Sequence, residues 1–263
     1  MAGIEFSVSS GVASLVLDNP PQNRLGTELL GGFTEAVQSI ANNRDIRAVL
    51  VRAEGENFSF GGDISTWLEL TPEQMRDNLN AALQLFNAFE NLPVPVVAAV
   101  QGKCLGGGFE LALRADVIVA ADDAVFGHPE QMIGVVTLLG GIQRVAERAG
   151  RTRAMQWALT SELVAADEMR AAGVITEVVP EGELTKTSTA WAERLANGPT
   201  LAHAGHKQML NAWANGGIEA ADKLIPELAQ QLIQTDDARR GIASAQDALR
   251  RGIARPVLQF QGR

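Results

Sequence analysis

Three short segments without polar alternation constrain the fold of this chain most strongly. They are residues 48–52, 96–100 and 117–121. Such runs are typical of strands that other elements cover on both faces of a largely parallel sheet. Helical periodicity lies between them, and from Thr200 onward the pattern is helical almost to the end of the chain. The sequence therefore predicts an α/β body followed by a helical C-terminal region.

The composition is that of an ordinary globular protein with an acidic balance. Hydrophobic residues make up 46% of the 263 residues and charged residues 20%, which is enough apolar material for a sizeable core. The net charge of −9 argues against nucleic acid and against an anionic membrane surface as partners. Cys104 is the single cysteine, so no disulfide can form within the chain. The sequence shows neither a signal-peptide pattern nor an apolar run of membrane-spanning length, and we expect a cytoplasmic protein.

A triple-glycine turn opens the most informative part of the chain. Gly106-Gly107-Gly108 precedes an apolar helical pattern with Glu110 in its first turn, where free backbone N–H groups can bind an anion. The glycines match neither G-x-x-x-x-G-K-[ST] nor G-x-G-x-x-G, which disfavours a nucleotide phosphate. The alternative is a plain turn, in which Glu110 only interacts favourably with the helix dipole. Burial would raise the pKa of Glu110 and the dipole would lower it, so its role as an acid or base stays open.

Two other loops place glycines or an acid next to predicted strands. Residues 58–64, FSFGGDI, contain two glycines that allow a ligand to approach the backbone closely. The alternative there is a tight turn, with Asp63 as the N-cap of a helix. Residues 126–130, FGHPE, supply Glu130 as a second candidate for proton transfer, against the alternative of a solvated loop carboxylate. His128 is either a proton carrier or a structural histidine.

The histidines provide no convincing metal site. His203 and His206 are three residues apart on a predicted helix, a spacing that can place two ligands on one face. No Cys, Asp or Glu flanks them closely. The sequence therefore predicts that the protein holds no metal ion.

The glycine and glutamate units together, in this order, resemble one family. The chain is similar to the crotonase family, the enoyl-CoA hydratase/isomerase superfamily, over nearly its whole length. The resemblance implies a spiral of ββα units in residues 1–199, carrying the CoA and catalytic site. It also implies a helical oligomerisation region in residues 200–263, and a homotrimer or a dimer of trimers.

The resemblance also implies roles for four residues. The N–H groups of Gly62 and Gly107 would form an oxyanion hole for the carbonyl of a CoA thioester. Glu110 would activate a water for attack at the β-carbon, and Glu130 would deliver a proton to the α-carbon. The implied activity is therefore hydration of a 2-enoyl-CoA, a lyase reaction of fatty acid metabolism. Coenzyme A would be part of the substrate, so no separate cofactor is implied.

Other functions stay open at this point. Family members that only shift a double bond can work with the second glutamate alone, so a double-bond isomerase is one alternative and a CoA-thioester hydrolase is another. A non-catalytic binding protein is the third. The acidic balance disfavours RNA as its ligand.

The chain departs from the family pattern beside the predicted acyl pocket. Thr137-Leu138-Leu139 replaces proline, glycine and alanine of the usual segment, and bulkier side chains there would reshape the pocket. The acyl group could therefore be cyclic, branched or otherwise specialised. Arg24 is a candidate for a CoA phosphate, with a solvated surface arginine as the alternative. The residues that we predict to bind substrate are Arg24, Phe60, Asp63, Ile64, Trp67, His128 and Leu138.

Overall fold

A twisted mixed sheet forms the body of the protein. The computed structural model describes residues 3–262, and within that range nine strands are present. In chain order they are β1 Gly3–Ser9, β2 Val12–Asp18, β3 Ala48–Ala53, β4 Val96–Val100, β5 Lys103–Leu105, β6 Val117–Ala121, β7 Val125–Gly127, β8 Val164–Ala165 and β9 Glu177–Val179. The three predicted apolar segments are strands β3, β4 and β6, as expected.

The strands form two sheets. The larger one has the order β1-β2-β3-β4-β6-β9, in which β1 and β2 are an antiparallel hairpin and all other pairs are parallel. The smaller sheet has the order β5-β7-β8, with β5 and β7 parallel and β7 and β8 antiparallel. Since β3 and β4 are parallel neighbours, the loops that follow them leave the sheet at the same edge.

Helices cover the sheets and form the C-terminal region. Across residues 3–262 they are α1 Thr27–Asn42, α2 Pro72–Glu90, α3 Gly107–Ala112, α4 Gly141–Ala149, α5 Arg151–Thr160, α6 Ala166–Ala171, α7 Leu184–Ala196, α8 Thr200–Asp222, α9 Ile225–Leu232 and α10 Asp236–Arg251. Three 3-10 helices lie between them, at Trp67–Glu69, Glu130–Ile133 and Glu181–Glu183. The predicted α/β body with a helical C-terminal region is confirmed.

The start of α2 shows why the chain folds this way locally. Thr71 accepts a hydrogen bond from the Gln74 N–H, and the Gln74 side chain accepts one from the Thr71 N–H, so two helix-end donors are satisfied. The predicted cap at Thr27 is wrong, because α1 begins one residue earlier than expected. Its N-cap is Gly26, which makes no side-chain hydrogen bond.

The chain end folds back onto the body. The N–H groups of Gln261 and Gly262 donate to the buried carboxylate of Asp237, and the Phe260 N–H donates to the carbonyl of Asn197. These bonds tie α10 to the end of α7. Although α8 begins at Thr200, the division into domains 1–199 and 200–263 stays a prediction, and its outer ends, Met1, Ala2 and Arg263, lie outside the described residues.

Candidate active site

Two glycine turns are pressed against each other where the loops after β3 and β4 meet. The Ser59 N–H donates to the Lys103 carbonyl and the Leu105 N–H donates to the Ser59 carbonyl, which aligns the two loops. Gly61 has a φ of +89°, and a Cβ there would come within 2.8 Å of the Gly107 nitrogen. A side chain at this position would therefore meet both backbone strain and a steric clash.

The close approach leaves two backbone donors side by side. In a short bridge, the Leu25 N–H donates to the Gly61 carbonyl and the Asp63 N–H donates to the Leu25 carbonyl, which bypasses the Gly62 N–H. Gly107 is the first residue of α3, where an N–H has no partner inside the helix. The position of a Cβ on Gly107 lies 3.4 Å from the Gly62 nitrogen. Two adjacent N–H groups of this kind can stabilise a negatively charged oxygen.

Glu110 is a buried carboxylate held by backbone donors. It lies in the first turn of α3, and only 2% of the residue is exposed. Its Oε1 accepts the N–H groups of Leu139 and Gly141, both at 2.8 Å. Burial raises the pKa of Glu110, while these two bonds and the charges of Arg114 and Arg144 oppose the rise. Burial therefore wins over the local stabilisation of the charge, which the sequence left open.

Glu130 is the second buried carboxylate, and its environment differs. It begins the 3-10 helix Glu130–Ile133, and its side chain is 12% exposed, so the solvated-loop alternative is wrong. Oε1 lies 3.3 Å from the position of a Cβ on Gly106, beside the glycine turn, whereas Oε2 has no hydrogen-bond partner within residues 3–262. Burial raises its pKa to about 7, its own backbone N–H opposes this, and the charge of Glu110 adds to it. Glu130 can therefore exchange a proton near neutral pH.

His128 lies behind Glu130 and is almost fully buried, at 1% exposure. Its ring packs on Phe109 with 4.9 Å between the centroids, and its Nδ1 lies 3.9 Å from Oε2 of Glu130. Burial lowers the pKa of His128 to about 4, so the ring is neutral at physiological pH.

A buried ion-pair network supports the Glu110 side of the site. Arg114 donates from Nη1 to Glu90 Oε2 at 2.7 Å and to Asn87 Oδ1 at 2.6 Å, and from Nη2 to the Leu139 carbonyl at 2.7 Å. Arg144 pairs with the same Glu90 carboxylate. Leu139 thus donates its N–H to Glu110 while its carbonyl accepts a hydrogen bond from Arg114. Sequence reasoning missed this network, because the ordinary charged residues on α2, just after α3 and on α4 show no pattern that joins them.

The glycines and glutamates open onto one cavity of about 340 Å³. Six of the predicted substrate-binding residues line it as well, at the positions Arg24, Phe60, Asp63, Ile64, Trp67 and Leu138. The cavity lining does not include His128, which lies next to Glu130 and whose Cε1 lies 2.5 Å from the position of a Cβ on Gly141. Of the unusual segment, Leu138 and Leu139 line the cavity, while Thr137 Oγ1 accepts the Ile142 N–H at 3.4 Å.

Arg24 and Asp63 are held by neighbours. Arg24 is half-buried and donates to the Gly62 carbonyl at 3.2 Å and to Gln22 at 2.7 Å. Asp63 caps no helix, since the next helical turn begins after Thr66. Instead its Oδ1 accepts the Ser65 N–H at 3.0 Å, a bond that lowers the pKa of Asp63.

Sequence reasoning also missed one wall of the cavity, which is the first half of α2. Met75, Leu79 and Ala82 line the cavity at helical spacing, and Asn78 joins them. The buried residues of α2 are confined to its second half, at Leu85, Phe86 and Phe89. The signal was present as an apolar stripe, but such a stripe indicates core packing equally well.

Neither a metal cluster nor a membrane helix is found in the part of the chain that the structure describes. No three or more His, Cys, Asp or Glu side chains lie together there in a way that could hold a metal ion. None of the helices described is both long and apolar enough to cross a membrane.

Paired backbone donors and two buried carboxylates lie on one apolar cavity, an arrangement that can transfer a proton next to a developing oxyanion. The model of the family described as enoyl-CoA hydratase/isomerase matches residues 7–250 of the chain. The protein belongs to this family, within the crotonase superfamily, and is an enzyme of crotonase type.

Individual relatives agree with this assignment. A short-chain-enoyl-CoA hydratase of Clostridium acetobutylicum is 30% identical over 232 residues, which cover 87% of this chain and 89% of the relative. A peroxisomal fatty acid beta-oxidation multifunctional protein of Arabidopsis thaliana is 34% identical over 206 residues, which cover 74% of this chain and 28% of that longer protein. The crystal structure of enoyl-CoA hydratase from Bacillus anthracis superposes with a TM-score of 0.88 at 25% identity, covering 99% of this chain and 100% of the other.

Proposed function

We propose that this protein adds water across the 2,3 double bond of a 2-enoyl-CoA. The observation that carries the proposal is the placement of two buried carboxylates, Glu110 and Glu130, on the same cavity as the free N–H groups of Gly62 and Gly107. A hydratase needs one group to take a proton from water and another to give one to carbon. An isomerase needs only one group that does both.

The proposed reaction uses these groups in sequence. The thioester oxygen accepts hydrogen bonds from Gly62 and Gly107, which stabilise the negative charge that develops when the β-carbon is attacked. Glu110 takes a proton from water as the new C–O bond forms. Glu130 gives its proton to the α-carbon as the enolate returns to the thioester. A proton passing from Glu110 to Glu130, directly or through solvent, then resets the site.

The electrostatics support this division of roles. With a pKa of about 7, Glu130 retains its proton in a substantial fraction of molecules at neutral pH. Burial raises the pKa of Glu110 as well, but its Oε1 accepts two backbone N–H groups and two arginines lie near, and these oppose the rise by favouring the charged form. Environments that separate two carboxyl groups in this way are typical of paired acid and base catalysts.

The cavity walls indicate an apolar acyl group. Leu79, Ala82, Leu138 and Leu139 contribute to these walls. The CoA moiety would extend out of the cavity past Arg24, whose guanidinium carbon lies 6.0 Å from the centroid of the Phe60 ring.

Further properties implied by the family stay proposals. We expect a homotrimer or a dimer of trimers, with no cofactor apart from the CoA of the substrate. The predicted absence of nucleic-acid and membrane partners and the expected cytoplasmic location likewise stay predictions from the sequence.

The direct test is to mix the purified protein with 2-enoyl-CoA thioesters of several chain lengths and branching patterns. Loss of the absorbance of the conjugated double bond, with formation of the 3-hydroxyacyl product, is the expected result. No hydration of any thioester would contradict the proposal. Double-bond migration or release of free CoA instead would assign the isomerase or hydrolase alternative.

A further inference from the structure

Among the buried polar atoms that lack partners in the described range of the chain, two beside the cavity lie close to each other. They are Nδ1 of His128 and Oε2 of Glu130, which lie 3.9 Å apart. A buried polar group without a hydrogen bond destabilises the folded state. A hydrogen bond between these two atoms would satisfy both at once.

We propose that His128 is a positioning residue for Glu130: it carries its hydrogen on Nδ1 and donates it to Oε2, which keeps the transferable proton of Glu130 on Oε1. Oε1 is the oxygen beside Gly106, which lines the cavity. The inference rests on the proposed function, because it concerns the proton that Glu130 gives to the substrate.

The burial of the ring selects the tautomer. Nε2 of His128 is also buried and has no partner within residues 3–262. A hydrogen on Nε2 would therefore be a buried donor without an acceptor, and Oε2 of Glu130 would stay unsatisfied as well. With the hydrogen on Nδ1, the donor faces a carboxyl oxygen and only a lone pair on Nε2 is left unpaired.

The distance is compatible with a bond that tightens during the reaction. An N–H···O bond has a donor-acceptor distance of about 2.7–3.2 Å, so the two groups must approach by roughly 1 Å. Catalytic hydrogen bonds are often long in ligand-free sites and shorten when the substrate binds. The Ser161 hydroxyl donates to the His128 carbonyl at 2.8 Å and Phe109 packs on the ring. Because these contacts hold His128, the movement that closes the distance is expected from Glu130.

The charged groups around the pair fit a neutral donor. Glu110 faces Glu130 across the site and favours its protonated form. Arg114 and Arg144 act on Glu110 from behind. Burial keeps the His128 ring uncharged, so it can donate a hydrogen bond without drawing the proton off Glu130 as a cation would. When Glu130 gives its Oε1 proton to the α-carbon, the Nδ1 hydrogen stays on His128 and stabilises the carboxylate that remains.

Nitrogen-15 NMR of the ring tests the tautomer without substrate. The chain has three histidines, so ring-labelled full-length protein gives few signals, and His203→Gln and His206→Gln assign them. Solid-state spectra can be recorded even if a large assembly tumbles too slowly for solution NMR. The expected result is a neutral His128 ring with hydrogen on Nδ1 at pH 7. Hydrogen on Nε2, or a doubly protonated ring, would overturn the proposal whatever reaction the enzyme catalyses.

Kinetics separate positioning from mere packing. His128→Leu removes the donor, so the pKa of Glu130 should rise and the alkaline limb of the hydration profile should move up by about one pH unit. The value of kcat should fall about tenfold or more, with KM little changed. His128→Gln keeps an N–H donor and should restore most of both. The positioning role would be contradicted if the alkaline limb of His128→Leu stayed at the pH of the parent. It would also be contradicted if kcat and the limb of His128→Gln matched those of His128→Leu.

The exposed His206 provides the matched control, since His206→Gln should leave the profile unchanged. If the Leu variant fails to fold, the spectrum of the parent and the profile of His128→Gln still decide. If no thioester is hydrated, the proposed function fails while the tautomer remains measurable, so the two failures are distinguishable.

Discussion

The backbone N–H of Leu139 donates to Oε1 of Glu110 at 2.8 Å, and the carbonyl of the same leucine accepts a hydrogen bond from Arg114. Leu139 lies in the segment where this chain departs most from the family pattern. Because both bonds use its backbone, the side chains of Leu138 and Leu139 can vary without releasing Glu110. The segment can therefore change the shape of the cavity while it keeps the carboxylate in place.

Glu110→Gln should separate hydration from proton exchange. The amide oxygen can still accept the N–H groups of Leu139 and Gly141, so the fold should be retained, but it cannot take a proton from water. We expect kcat for hydration to fall by about 10²–10⁴-fold. Exchange of the α-proton of a saturated acyl-CoA in deuterated water, followed by mass spectrometry, should survive because Glu130 is intact. Equal hydration by variant and parent would refute the role of Glu110.

Gly107→Ala should disable the pair of backbone donors. Its Cβ would lie 3.2 Å from Leu25 Cδ1 and 3.4 Å from the Gly62 nitrogen, where the substrate oxygen is proposed to bind. Loss of one oxyanion donor costs about 10²–10³-fold in kcat, which steady-state kinetics would measure. Gly31→Ala is the matched control, since no atom lies within 4 Å of its new Cβ and it lies on α1. A fully active Gly107→Ala enzyme would contradict the proposed place of the substrate oxygen, because the added Cβ would lie beside it.

Arg114→Met should weaken both stability and activity. The change leaves Glu90 paired with Arg144 alone and removes the donor to the Leu139 carbonyl. Removing one partner of a buried pair costs about 3–5 kcal/mol, and the remaining Arg144 should reduce that loss. Thermal melts would measure the loss of stability, and steady-state kinetics would measure the fall in kcat. Arg76→Met is the control, because Arg76 is 67% exposed and its surface pairs are worth under about 1 kcal/mol. Equal melting temperatures would contradict the role of the network.

The stability of the protein should depend on pH through Glu130. The pKa of this carboxyl is raised by burial from 4.5 to about 7, so the folded state holds a proton that the unfolded state releases. Stability attributable to Glu130 is therefore greatest below pH 4.5 and is lost as pH rises to about 7 and above. A shift of this size corresponds to on the order of 3 kcal/mol.

Glu130→Gln removes this titration. The melting temperature of the variant minus that of the parent should therefore be larger at pH 8.5 than at pH 5. His128 titrates in both proteins, so its effect cancels in the comparison. An equal difference in melting temperature at the two pH values would show that Glu130 titrates normally.

Much of the fold was predictable because it depends on local patterns. Strands β3, β4 and β6, which lack polar alternation, the capped start of α2 and the helical end all follow from residue periodicity and helix-end chemistry. The cap of α1 was misplaced because Gly26 takes a position where Thr27 also fits the pattern. A difference of one residue is smaller than local preference alone can resolve.

The sequence by itself determined the candidate residues: the glycine turns, Glu110 and Glu130 are recognisable from their order along the chain. Only the tertiary structure decided their state. The burial that raises the pKa of Glu130, the bonds from Leu139 and Gly141 to Glu110, and the burial of the His128 ring all depend on segments distant in sequence. Desolvation and hydrogen bonding act through space, so no local pattern could have specified them.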